Sequence, residues 1–117
     1  MAMTDRTAAL RALIEAVEAG RDEDIDLLAC EIWHMDGMCR EPLDAYNGSL
    51  DAAKALHQAL LPGWDYTVGW ATGRRHPVAS VWPHDDNHAE INVESDTPAR
   101  AWLICILRAC LSQQEAA

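Results

Sequence analysis

YNGSLDAAKALHQALLPGW, residues 46–64, is punctuated as one complete small helix that runs directly into a strand. Asn47-Gly48 is a turn, Ser49 is the N-cap, and Pro62-Gly63 stops the helix at Trp64. The serine oxygen accepts a hydrogen bond from an amide of the first turn. The proline supplies no amide of its own and clashes with the helix behind it. Between these marks Leu50, Ala53, Leu56, Leu60 and Leu61 are predicted to face a core, and Asp51, Lys54 and Gln58 to face water.

Beyond Trp64 the pattern changes to strict alternation. WDYTVGWA (64–71) sets Trp64, Tyr66, Val68 and Trp70 against Asp65, Thr67, Gly69 and Ala71. TGRRH turns the chain, with Gly73 free to take positive φ. PVASVWP (77–83) is a second strand bracketed by prolines, and HDDN turns again. HAEINVES then places Ala89, Ile91 and Val93 inward. Short turns between consecutive strands imply an antiparallel meander over 64–95. Asp96 or Thr97 caps a last helix, 97–113, with Pro98 at its first position. That helix is apolar nearly all round from Ala99 to Leu111, so burial on more than one side is expected.

Upstream of residue 46, Thr4 is the expected cap of a first helix whose stripe is Leu10, Leu13, Ile14 and Val17, ended by Gly20. Asp22 or Glu23 opens a second helix with the stripe Ile25, Leu28, Ile32 and Met35, and Gly37 follows. These two form an expected hairpin over 4–36. Residues 37–48, with no period, read as a loop. The predicted order is α-α-α-β-β-β-α: one α+β domain over 1–117, a three-stranded antiparallel meander with the third and last helices on one face.

A chain of 117 residues, half of them hydrophobic, suits one globular core. The net charge of −10 removes generic binding to nucleic acid or to anionic membrane, since both need clustered Lys and Arg. No apolar run approaches the roughly 20 residues of a membrane span, and no secretory signal is expected from the opening residues. The four cysteines are not spaced as a disulfide framework, so reduced thiols in a cytoplasm are expected. Cys105 and Cys110, set among Leu and Ile, read as small buried hydrophobes.

Two motifs, SLDAAKALHQALLPGW and ESDTPARAWLICILRACL, occur together with the aromatic Tyr46 ahead of the first. With the short meander between them, they resemble the phage ABA sandwich domain, a family of small bacteriophage proteins. The likeness spans about residues 22–112. It implies an α/β/α layered fold and a phage or prophage origin, hence a host-cell cytoplasm. It implies no reaction.

Several groups bear on chemistry. Cys30 and His34 share a helix face and Cys39 follows, but zinc needs a fourth ligand such as His57 or His84. Strong zinc signals come as two close pairs, so no metal or other cofactor is expected. His84, Asp85, Asp86, His88 and Glu90 fall in a predicted turn, where such residues occur for turn reasons. Arg74 and Arg75 form the one compact basic spot. Arg100 opposes the dipole of the last helix, and a carboxylate such as Glu94 is the expected reason. No phosphate loop, nucleophile elbow or His-Glu-x-x-His is present, and no enzyme is expected.

Five tryptophans and no phenylalanine are unusual for a chain of this length, and tryptophan is enriched at binding hot spots. Trp64, Tyr66, Trp70 and Trp102 read as core. Trp82 and Val78 point opposite to Ala79 and Val81, toward a second sheet face. If the first two helices leave that face open, it is the candidate interface, flanked by Asp22, Glu23, Asp24 and Asp26; Arg74 and Arg75, at a hairpin tip, are separate candidates for contact with a phosphate or an acidic partner. The expected function is that of a phage accessory protein binding a host or phage protein, one form being an acidic inhibitor of host defence. A nucleotide-like ligand held by tryptophan and arginine is one alternative. A virion assembly role, compatible with a homo-oligomer, is the other.

Overall fold

The computed structural model describes residues 2–33, 37, 40–70, 73 and 75–116. Five helices and three strands follow in the order α1 (Ala2–Ala19), α2 (Asp22–Trp33), α3 (Glu41–Tyr46), α4 (Leu50–Leu60), β1 (Trp64–Gly69), β2 (Val78–Pro83), β3 (Ile91–Glu94) and α5 (Pro98–Ala116). A single 3-10 turn, Asn87–Ala89, precedes β3. The fold is α+β, with an antiparallel sheet in the order β1-β2-β3.

The punctuation around α4 acts as its chemistry requires. The Ser49 hydroxyl accepts from the Ala52 amide at 3.1 Å, and Gly63 takes φ +83 where the chain leaves the helix for β1. Thr97 caps α5 by accepting from the Arg100 amide at 3.1 Å. The expected start at Thr4 is corrected: α1 begins at Ala2 and Thr4 lies inside it. The expected loop 37–48 contains α3. Pro42 sits in its first turn, where a fixed φ and a missing amide cost nothing. Burial of Pro42, Ala45 and Tyr46 holds this six-residue helix in place, and tertiary contact of that kind leaves no period in so short a segment.

Helix α5 is the axis of the molecule. It packs against α1, α3 and α4 on one side and all three strands on the other. Ala101, Leu103, Cys105, Ile106 and Leu107 are fully buried, which is why this helix is apolar all round. Leu10, Leu13 and Val17 bring α1 onto it. Ion pairs of Arg11 with Glu115, and of Arg108 with Glu18 at 2.6 Å, tie the same two helices at the surface. Helix α2 packs on α1 and α3. Its entry turn needs Gly20 (φ +77), where a side chain would also press on the Tyr46 hydroxyl at 3.3 Å.

Three expectations about burial are corrected. Leu50 is 47% exposed instead of facing the core, because the apolar stripe of α4 runs through Ala53, Leu56 and His57. Trp70 is 67% exposed and lies one residue past the end of β1, and Tyr66 is 40% exposed on the outermost strand. Ala89 falls in the exposed 3-10 turn ahead of β3. The α/β/α layering is also corrected. Ala79, Val81 and Val93 are buried against α5, whereas no described residue on the opposite sheet face is buried. The α1–α2 hairpin is drawn to α5 and α3 by its own stripes, so helices cover the sheet on one side only.

Candidate functional site

The uncovered sheet face is built from three cross-strand rows. Asp65 lies beside Trp82; Thr67, Ser80 and Asn92 form the middle row; Gly69, Val78 and Glu94 form the third. Side chains alternate strictly along a strand, so these residues share the face opposite Ala79, Val81 and Val93. Trp82 and Val78 are half-buried and sit roughly 13 Å apart along β2. The Ser80 hydroxyl donates to the Asn92 side chain between them. At one corner Asp65 meets the His84 ring at 2.9 Å. That hydrogen bond, the Asp65 charge and then the Asp85 charge hold the His84 pKa above the usual imidazole value. The face therefore carries an aromatic at one end, a small aliphatic at the other, a hydrogen-bonding row between and carboxylates at two corners.

The sequence-predicted residues are not all gathered here. Trp82 and Val78 share the face as expected. Arg75 is exposed in the β1–β2 connection, and Arg74 lies outside the described residues. Asp22, Glu23, Asp24 and Asp26 stand on α2, which packs on α1 and α3 instead of flanking the sheet, and Asp24 pairs with Arg21 at 3.0 Å. The turn that leads into α2 does reach the sheet's end. Ala19 and Gly20 line a cleft of about 500 Å³ with His76, Glu94, Ser95 and Asp96.

Arg100 lines the same cleft, and all three of its guanidinium nitrogens donate hydrogen bonds. Its Nε and Nη2 donate to the Tyr46 carbonyl at 3.2 and 3.1 Å, and Nη1 donates to Asp96 at 3.1 Å. Its Cζ lies 3.9 Å from the centre of the Tyr46 ring, a stacked cation–π contact. The cation in the first turn of α5 is thus a clamp between α3 and α5.

A second cluster escaped the sequence reading. His57 is buried and its Nε2 donates to the Trp64 carbonyl at 2.9 Å, while its Nδ1 accepts from the Trp102 indole at 3.2 Å. An indole only donates and a carbonyl only accepts, so the ring is the Nε2–H tautomer. Tyr66 closes over this pair, stacked on Trp102 at 4.4 Å and edge-on to His57 at 4.7 Å. The i, i+4, i+7 relation of Ala53, His57 and Leu60 is the signal that places His57 on the core stripe.

His34 and Cys39 lie outside the described residues. Among the described residues, no three His, Cys, Asp or Glu side chains come together as a metal would need. Asp86 caps the 3-10 turn by accepting from the His88 amide at 3.1 Å, a structural use of the acidic turn. Cys105 donates to the Ala79 carbonyl at 3.3 Å, and burial pushes its thiol pKa up to about 12. Burial likewise raises Cys110 to about 11. Comparison of the chain with protein-family models, with curated proteins and with solved structures found no match. No helix among the described residues is long and apolar enough to cross a membrane.

Proposed function

We propose that this protein is a non-catalytic binding module that takes a basic protein partner on the open face of its sheet. The observation that carries the reading is an antiparallel sheet covered by helices on one side only, with Trp82 and Val78 on the bare side. Tryptophan is enriched among residues that dominate binding energy. The polar middle row supplies hydrogen bonds, and Asp65 and Glu94 with a net charge of −10 favour positive charge on the partner. The resemblance to the phage ABA sandwich domain supports a host or phage protein as that partner, and an accessory role, including inhibition of a host defence protein, as the setting. The nucleotide-like alternative draws less support, because Arg100 is already committed to Tyr46 and Asp96.

The test is affinity capture from a bacterial host lysate with the wild-type chain and with Trp82→Ala, at low and high salt. A defined basic protein retained by the wild type, lost with Trp82→Ala and lost at high salt is the expected result. Equal retention by Trp82→Ala removes the sheet face from the mechanism, and salt-insensitive retention removes the charge argument.

A further inference from the structure

The two edges of the sheet are not alike. In an antiparallel ladder, alternate residues point their N–H and C=O toward a given neighbour. The Ser95 amide donates to the Pro77 carbonyl at 3.1 Å and the His84 amide to the Gly63 carbonyl at 3.2 Å. These bonds set the phase of the whole sheet. On β1, residues 65, 67 and 69 bond to β2, and Trp64, Tyr66 and Val68 direct their backbone groups away from it. Trp64 is already satisfied, donating to the Leu61 carbonyl at 3.1 Å and accepting from His57 at 2.9 Å. Among the described residues, no strand pairs with the outward groups of Tyr66 and Val68.

Natural sheets protect such edges with charge, proline, bulges or brevity. The β3 edge has this protection: it is four residues long and exposes Asn92 and Glu94. The β1 edge lacks it. It is six residues long, its one charged residue is Asp65, and it exposes Tyr66 and, just beyond, Trp70.

We infer that β1 pairs antiparallel with β1 of a second copy of this chain, joining two sheets into one across a two-fold axis at Thr67. This register makes the largest number of new hydrogen bonds from β1 residues whose outward groups are unused, with the ladder stopping short of Trp64 and Trp70. Tyr66 and Val68 of the second copy exchange N–H···O bonds, and the two-fold repeats the exchange. A two-fold at Tyr66 leaves a single such pair before reaching the occupied groups of Trp64, and one at Val68 leaves a single pair before reaching Trp70, past the strand's end. The sequence is self-complementary in the chosen register. Tyr66 meets Val68 of the second copy as a cross-strand pair on the α5 side, and the exposed Trp70 of each chain lies just beyond the paired residues. On the open face Thr67 meets Thr67, and Asp65 meets Gly69, so no like charges oppose each other. The open faces of the two sheets, each with its Trp82, become continuous.

Two chains of −10 repel, so added salt strengthens this pairing. A basic partner on the open face behaves in the opposite sense, and Trp82→Ala leaves the dimer intact. Failure of either reading is therefore seen separately. Sedimentation of the wild type is expected to give twice the 12.9 kDa chain mass, with dissociation on dilution and on lowering salt. Trp70→Lys, a change at an exposed site, is expected to weaken the dimer by at least about tenfold with an unchanged circular dichroism spectrum. Thr67→Cys is expected to form an interchain disulfide between the introduced thiols, mapped by mass spectrometry, because directly opposed non-hydrogen-bonded positions have the required Cα spacing. A monomer throughout the concentration range overturns the inference. So does a dimer that Trp70→Lys leaves intact, or one whose introduced thiols stay unlinked.

Discussion

Replacing His57 by leucine tests how the sheet is joined to the helices. The ring is buried and bridges α4 to both β1 and α5 through the Trp64 carbonyl and the Trp102 indole. Leucine fills most of the same volume, so the main loss is hydrogen bonding. The Trp102 N–H is left in a buried site without an acceptor. The Trp64 carbonyl, in a part-buried site, loses its donor but is nearer to water. A stranded buried group costs about 1–3 kcal/mol, so the indole belongs near the top of that range, the carbonyl near the bottom, and the sum is about 3–4 kcal/mol. For a domain of this size each kcal/mol corresponds to roughly 4 °C in Tm, so a drop of roughly 12–16 °C is expected. Urea unfolding followed by tryptophan fluorescence measures the same change as a lower midpoint at unchanged slope. His88→Leu, at an exposed site, is the control and should move stability by less than about 0.5 kcal/mol. A His57→Leu chain as stable as the control would refute the bridge. So would an Nδ1–H tautomer observed by ¹⁵N NMR in the wild type.

Other consequences follow from the clamp, the thiols and the imidazole. Arg100→Lys should destabilise by about 1–3 kcal/mol, because an ammonium cannot reproduce the planar fork on the Tyr46 carbonyl and Asp96; thermal unfolding in parallel with Arg40→Lys, at an exposed position, checks this. Cys105 should resist alkylation until the chain is unfolded, read by mass spectrometry with and without denaturant. The folded Cys105 thiol holds its proton from an ordinary value of 9.0 up to about 12. Its contribution to stability is thus complete below about 9 and is lost progressively as pH rises toward 12, a fall that Cys105→Ala should reduce. His84 should titrate above the usual imidazole value, and Asp65→Asn should return it toward that value in an NMR titration. The small stabilisation from the His84–Asp65 pair is present below the unfolded imidazole pKa and disappears as pH rises through the raised one.

Local chemistry made much of the fold legible. The Ser49 cap, the Pro62-Gly63 stop, the Thr97 cap and the period-two strands depend on neighbours within a few residues, and each is found in place. The all-round apolar character of residues 99–111 announced a central helix, because only a helix with partners on several sides can dispense with a polar face. Helix α3 was hidden, since six residues held by tertiary burial carry no period of their own.

The candidate site was legible in halves. Alternation along β2 is enough to separate Trp82 and Val78 from Ala79 and Val81. Whether helices would cover that second face was not written in the strand. It depended on where the stripes of α1 and α2 found their partners, and those lay on α5 and α3. The same packing kept Asp22, Glu23, Asp24 and Asp26 on α2, off the sheet. His57 and Arg100 show the same division from the other side. Each is an ordinary polar residue in the sequence and acquires its role from groups 45 and 54 positions away. The sequence by itself determined the elements other than α3, the Ser49 and Thr97 caps and the alternation of each strand, because these are short-range properties of the chain. The tertiary structure alone decided which sheet face and which strand edge stayed bare, because that depends on which apolar surfaces bury one another first and best.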